Sequence, residues 1–97
     1  MNDDPLRSLA EALDALPHGT FYARVKRRRY IATKTQFNDG KSTKLVAEEL
    51  GGKDYISFNY YRLTTGARLY PCEMSREKVI AFVLAALPEG AAPQEEA

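Results

Sequence analysis

Residues 54 to 63 read DYISFNYYRL, and the alternation inside them decides the fold. Ile56, Phe58 and Tyr60 recur at every second position while Tyr55, Ser57, Asn59 and Tyr61 fill the gaps, the period of a strand with one apolar face. Aromatic and β-branched residues favour that pleated surface. A single strand cannot bury its own apolar face, so the flanking sequence must supply both neighbouring strands and a cover.

Downstream, Thr64-Thr65-Gly66 is a turn that returns the chain into ARLYPCEM, residues 67 to 74. Pro71 has no amide donor, which predicts an edge position or a bulge for that strand. Ser75 is a good helix N-cap, and Val79, Ile80, Val83, Leu84, Ala86 and Leu87 follow as a strongly apolar helix that stops before Pro88. Residues 89 to 97 hold Glu, Ala, Pro, Gly and Gln only, too few large apolar groups to fold, and are expected to be disordered.

Upstream, Gly51-Gly52-Lys53-Asp54 reads as a turn-like linker. It joins STKLVAEEL, residues 42 to 50, for which a short helix capped by Ser42 and ended by Gly51 competes with a strand; the short linker favours a strand hairpin. Asn38-Asp39-Gly40 is a strong turn signal, and Tyr30 to Phe37 is β-prone. Phe21, Ala23 and Val25 alternate with Tyr22, Arg24 and Lys26 as a further strand. Residues 27 to 29 are either a tight turn or a bend in one long strand. Ahead of them, Leu6, Leu9, Ala10, Leu13 and Leu16 recur at helical spacing after Asp4-Pro5, predicting a helix from about 5 to 16 ended by Pro17-His18-Gly19. The expected architecture is α+β: an N-terminal helix, a four- or five-strand antiparallel meander, and a C-terminal helix, with one sheet face covered. Residues 1 to 88 form one domain in this reading.

At 97 residues the chain has room for one core and no second domain. Cys72 is the sole cysteine and cannot form an internal disulfide; no Cys and His spacing around His18 suggests a metal site, and no cofactor motif is present. Cys72 reads as a small buried hydrophobe and His18 as a helix-stop residue. Glu48 and Glu49 are adjacent on a strand and point to opposite faces, so they do not make a catalytic carboxylate pair. An enzyme is the least favoured class. Acidic Asp3 and Asp4 precede any apolar residue, unlike a signal peptide, and no apolar run approaches the roughly 20 residues of a membrane span, so a soluble, cytoplasmic protein without membrane contact is expected.

A net charge of +1 hides a strong asymmetry. Residues 1 to 19 carry −3, residues 20 to 45 carry +7 with eight Lys or Arg, and residues 46 to 97 carry −3. Such a basic block makes a local positive potential suited to polyanions. If Ile56, Phe58 and Tyr60 face the helices, then Tyr55, Asn59 and Tyr61 face away, together with Arg24 and Lys26. Cations for phosphates beside flat rings for unstacked bases suit single-stranded nucleic acid, DNA or RNA, each base stack being worth roughly 1–3 kcal/mol. Arg27, Arg28, Arg29 and Lys44 extend the candidate surface.

The run GKSTKLVAEELGGKDYISFNYYRLTTGARLYPCEMSREKVIAFVLAAL, residues 40 to 87, resembles the C-terminal half of the positive-cofactor-four family of transcriptional coactivators and its bacterial relatives. The resemblance lies in the order of a basic strand, a turn, the aromatic strand YISFNYYR, a Pro-interrupted strand and a Ser-capped helix. It implies a curved antiparallel sheet, a dimer built through helices, and single-stranded DNA as ligand. The N-terminal helix and the lack of a Gly-Lys-Gly-like run before the last helix depart from that pattern. Phe82 and Leu84 lie off the main stripe of the last helix and would be left for another chain to cover, so a homodimer through that helix is expected under either reading. The second function class is a homodimeric protein-interaction module whose basic block meets an acidic partner.

Overall fold

The protein, described from a computed structural model over residues 5–91, is an α+β fold of two helices on one face of an antiparallel sheet. The order is α1 (Pro5–Ala15), β1 (Gly19–Val25), β2 (Arg28–Phe37), β3 (Ser42–Glu49), β4 (Tyr55–Leu63), β5 (Gly66–Pro71), α2 (Arg76–Ala85) and β6 (Leu87–Ala91). The Asp4 side of the expected Asp4-Pro5 helix start lies outside the described residues. The six strands lie in the order β5-β4-β3-β2-β1-β6, one strand more than the longest meander expected.

Each turn follows from its residues. Asn38 and Asp39 both take left-handed φ, 55° and 57°, and the Gly40 amide donates to the Phe37 carbonyl at 3.1 Å. Asn and Asp tolerate that region better than other side-chain-bearing residues, and Gly40 at φ 84° meets no steric cost at all. The segment 42 to 50 is a strand, β3, as the short linker after it indicated. The open choice at 27 to 29 resolves as a two-residue turn: Val25 pairs with Arg28, leaving Lys26 and Arg27 as the hairpin tip, with Lys26 at φ 59°.

The core sits between the sheet and the helices. Phe21, Ala23, Tyr30, Ala32, Leu45, Ala47, Ile56, Phe58, Tyr60 and Leu69 project from five successive strands toward Leu9, Leu13 and Leu16 of the α1 segment and Val79, Phe82 and Val83 of α2. Full burial of each Leu, Ile or Phe contributes about 1.5–3 kcal/mol, which is what pins the register: a one-residue slip in β4 would expose Ile56, Phe58 and Tyr60 together.

Lys34 is the exception in this layer. The alternation of β2 points it inward, where it is 2% exposed, and its ammonium donates to the carbonyls of Leu13 at 2.8 Å and Leu16 at 2.6 Å. A helix end leaves carbonyls short of donors; the Leu13 carbonyl takes the Leu16 amide at 3.2 Å, and Lys34 adds a second donor to it and one to Leu16 while completing the layer with its aliphatic stem. Burial lowers its pKa, an effect that the Asp14 carboxylate partly opposes.

Several expectations need correction. Helix α2 ends at Ala85, because Ala86 is already extended (ψ 129°) and the residue before Pro88 avoids helical geometry, so Leu87 opens β6 instead of closing the helix. The segment 89 to 91 expected to be disordered belongs to that strand, which pairs with β1 through Arg24↔Leu87, Ala23↔Pro88 and Phe21↔Ala91. The remainder of the tail lies outside the described residues. Cys72 is exposed: Leu69 and Pro71 pair with the inward Tyr60 and Phe58, so Cys72 falls on the outer side, its amide donating to the Ser57 carbonyl at 2.9 Å. Phe82 is covered within its own chain, its ring meeting Tyr30 edge-on at 4.9 Å and 83°; of the two residues expected to remain outside, only Leu84 does, at 50% exposure. Pro71 does lie on an edge strand, β5, and Ser75 does cap α2, its Oγ accepting from the Lys78 amide at 3.1 Å.

Candidate functional site

The sheet face turned away from the helices is built in rows by the strand register. One row runs Tyr22, Ile31, Glu48, Tyr55; another Thr20, Thr33, Val46, Ser57; a third Thr35, Lys44, Asn59, Tyr70; a fourth Phe37, Ser42, Tyr61, Arg68. The last two rows adjoin, so they gather Lys44, Asn59, Tyr61, Arg68 and Tyr70 at one end of the sheet. Tyr61 and Tyr70 meet edge to face, with ring centroids 5.6 Å apart and planes at 67°. Tyr70 is 54% exposed, as expected for a side chain on the outward face of an edge strand.

Arg24 and Arg29 pair across the β1–β2 ladder at the opposite end. From the row of Arg29 to that of Phe37 and Tyr61 is about 27 Å, at ~3.3–3.4 Å per residue along a strand. They therefore cannot hold the same nucleotide as Tyr61. Their charge is also partly taken: Glu89 of β6 accepts from Arg24 Nε and Arg29 Nε, each at 2.9 Å. These bonds, Arg29 first and Arg24 second, hold the Glu89 carboxyl below the usual range. The Arg29 guanidinium also lies 5.3 Å from the centre of the Tyr22 ring.

The rest of the basic run disperses. Lys26 and Arg27 occupy the hairpin tip and belong to neither face, which corrects the expected placement of Lys26 beside Arg24. Arg28 follows at the next position and turns to the helix side, 3.8 Å from Glu49 and 4.0 Å from Asp54. Lys34 is buried. Tyr55 follows the outward register of β4 but sits at its first residue, where Lys78 of α2 reaches over its ring at 5.9 Å. Of the residues marked in the sequence, the structure unites Lys44, Asn59 and Tyr61 at one end of the open face and Arg24 and Arg29 at the other.

Two residues that shape this surface go beyond the expected set: Tyr70, and Glu89, which falls in the tail expected to be disordered; the burial of Lys34 on the helix side is a further departure. For Tyr70 a signal existed, since Leu69 inward requires Arg68 and Tyr70 outward. For Glu89 none did, because the strand it sits on forms only against β1, far away in sequence. Arg62 points to the helix side and bonds Asp14 of α1.

Asp54 anchors a second polar cluster on the covered side. It accepts from the Tyr30 hydroxyl and from Lys78 Nζ, both at 2.7 Å. Those two bonds, Lys78 first, hold its carboxyl below the ordinary range, while burial and the bond to Asp54 push Tyr30 up. Among the described residues no three His, Cys, Asp or Glu side chains converge as a metal site, and no helix is long and apolar enough to cross a membrane. Comparisons with protein-family models, with characterised proteins and with solved structures give no match.

Proposed function

We propose that the protein binds single-stranded nucleic acid on the open sheet face, as an accessory factor in transcription or another nucleic-acid transaction in the cytoplasm, without chemistry of its own. The observation that carries the proposal is the Tyr61–Tyr70 ring pair on a helix-free face, flanked by Lys44 and Arg68 and by the Asn59 amide. Rings on such a face offer surfaces to unstacked bases, and the two cations are placed for the phosphates beside them. Arg24, Arg29 and the Lys26–Arg27 tip would engage the strand farther along, at the other end of the same sheet. A duplex would use the cations and leave the rings idle. The pattern resemblance to positive-cofactor-four proteins points the same way and belongs to this proposal.

Fluorescence anisotropy of labelled oligonucleotides tests it: single strands bind at low salt, and matched duplexes bind more weakly. Equal affinity for both, undiminished in a Tyr61→Ala/Tyr70→Ala variant, would overturn it.

A second reading, a homodimeric interaction module, is favoured by Leu84 at 50% and Leu87 at 62% exposure. They sit on either side of the α2–β6 junction, Leu84 on the helix and Leu87 opposite Arg24 on β6, and another copy of the chain would cover them.

A further inference from the structure

Between the β1–β2 hairpin tip and α2 lies an open cleft of about 490 Å³, on the helix side of the sheet and separate from the open face. Its inner wall is apolar: Tyr30, Ile56 and Phe82 are 2%, 1% and 5% exposed, and Val25 and Ala81 continue the wall outward. Ala81 on α2 and the Lys26–Arg27 tip both line it, and the small Ala81 side chain leaves room on the helix side. Its volume falls within the ~300–1,000 Å³ of small-molecule sites.

Its charge is one-sided. Lys26, Arg27, Arg28 and Lys78 line it, against the single carboxylate of Asp54. That carboxylate is already occupied by the Tyr30 hydroxyl and Lys78. Arg28 stands only loosely near Glu49 and Asp54, at 3.8 and 4.0 Å, with its side chain 60% exposed. Lys26 and Arg27 have no ion-pair partner among the described residues. Two cations without an ion pair and one loosely paired arginine at the mouth, with buried rings behind them, are complementary to a ligand that is negative at one end and apolar at the other.

We propose that this cleft binds a small organic anion, a carboxylate or phosphate monoester on an aromatic or branched aliphatic body, with the body against Phe82 and Ile56 and the head group between Arg27 and Arg28. Asp54 fixes the back of the site by holding Tyr30 and Lys78, and it excludes a second negative group there. The cleft shares only the Lys26–Arg27 tip with the open-face reading; its other lining residues lie on the helix side, away from the Tyr61–Tyr70 end, so failure of one reading leaves the other standing.

The test is titration of the ¹⁵N-labelled protein with 2-naphthoate, followed by amide shifts, with 2-naphthylmethylammonium and acetate as matched controls for charge and body. Naphthoate should shift amides of residues 25–30, 54–56 and 78–82 saturably, the ammonium should bind at least about tenfold more weakly because it meets like charge, and acetate should do nothing. Ala81→Trp, at an exposed helix position on the lip, should abolish the shifts by filling the cleft. Arg27→Glu, on an exposed turn, should weaken binding about tenfold by reversing charge at the mouth, with circular dichroism confirming that both variants are folded. Equal binding of the ammonium, shifts centred on Tyr61 and Tyr70, indifference to both substitutions in folded variants, or no saturation with naphthoate would each overturn the proposal.

Discussion

Arg29 Nε lies 2.9 Å from Glu89 Oε1, a bond between residues sixty apart in sequence that ties the basic run to the strand following α2. The other oxygen of the same carboxylate holds Arg24. One acid thus draws on two of the basic run's cations and also fixes β6 against β1. The +7 of residues 20 to 45 is accordingly not a measure of free positive surface: Lys34 is buried, Arg24 and Arg29 share Glu89, and Arg28 stands near Glu49 and Asp54.

Glu89→Gln should therefore raise affinity for a single-stranded oligonucleotide and steepen its salt dependence, because two guanidiniums lose their internal counter-charge. Each additional phosphate neutralised adds about −0.7 to the log–log slope. Anisotropy titrations across salt concentrations read both quantities. An unchanged or shallower slope would show that Arg24 and Arg29 do not reach the ligand.

The same carboxylate predicts a pH effect on stability. Its folded pKa is depressed by Arg29 and Arg24, so the stabilisation is present above the ordinary glutamate value and is lost as pH falls through the lowered folded value. Asp54, lowered by Lys78 and Tyr30, behaves in the same sense. Thermal melts of the wild type should thus decline from the usual carboxylate range downward. The difference between wild type and Glu89→Gln should shrink over that interval, and a difference that grows on acidification would contradict the assignment.

Rings and cations on the open face should separate by their salt response. Tyr61→Ala and Tyr70→Ala should each lower single-strand affinity by roughly 1–3 kcal/mol with little change of slope, since rings release no counterions. Lys44→Ala and Arg68→Ala should instead flatten the slope by about 0.7 each. Tyr55→Ala should cost less than Tyr61→Ala, because Tyr55 lies about 20 Å away along β4 at ~3.3–3.4 Å per residue and already has Lys78 over its ring. Identical salt responses for the two classes would dismiss base stacking.

What was legible in the sequence was whatever depends on neighbours in sequence. The alternation of β4, the Asn38-Asp39-Gly40 turn, the Ser75 cap and the helical period of α1 are local signals, and each appears where its residues placed it. The outward projection of Tyr55, Asn59 and Tyr61 followed from the same alternation. Strand β6 was hidden because Leu87–Ala91 has no period of its own and becomes a strand only by pairing with β1. The dispersal of Lys26 to Arg29 was hidden by the undecided turn, as two turn residues send consecutive arginines to opposite faces. Lys34 was hidden because its burial depends on carbonyls of Leu13 and Leu16, which only the packed helix brings near.

Lys34→Met should keep the apolar stem and remove the ammonium from both carbonyls, leaving Leu13 only the Leu16 amide, at a cost of about 1–3 kcal/mol in denaturant unfolding, the range for a buried partner left unsatisfied. The pH dependence distinguishes this from simple repacking. Because burial lowers the folded pKa of Lys34 below the ordinary value near 10.5, the unfolded chain binds more protons between the lowered value and 10.5, and stability rises with pH across that interval. That rise should be present in the wild type and missing in Lys34→Met. Equal pH profiles for the two would mean that the ammonium remains as well solvated in the folded state as in the unfolded one.

Leu84 and Leu87 give the interaction-module reading its test. With Phe82 buried, Leu84 and Leu87 are the exposed large apolar side chains of the α2–β6 region, a smaller surface than one that includes Phe82. Both leucines are already exposed, so Leu84→Asp/Leu87→Asp should leave the monomer's melting temperature nearly unchanged at low concentration, where surface substitutions usually stay within about ±0.5 kcal/mol. Under the dimer reading, sedimentation of the wild type shows a concentration-dependent shift toward twice the 10.9 kDa chain mass, and the double substitution abolishes it. A β6 edge with unpaired amides beside these leucines offers strand pairing as the polar part of the same contact. A wild type that sediments as a monomer at millimolar concentration would remove the dimer and leave the open-face proposal untouched, because the Tyr61–Tyr70 end of the sheet lies on β4 and β5, across the sheet from β6.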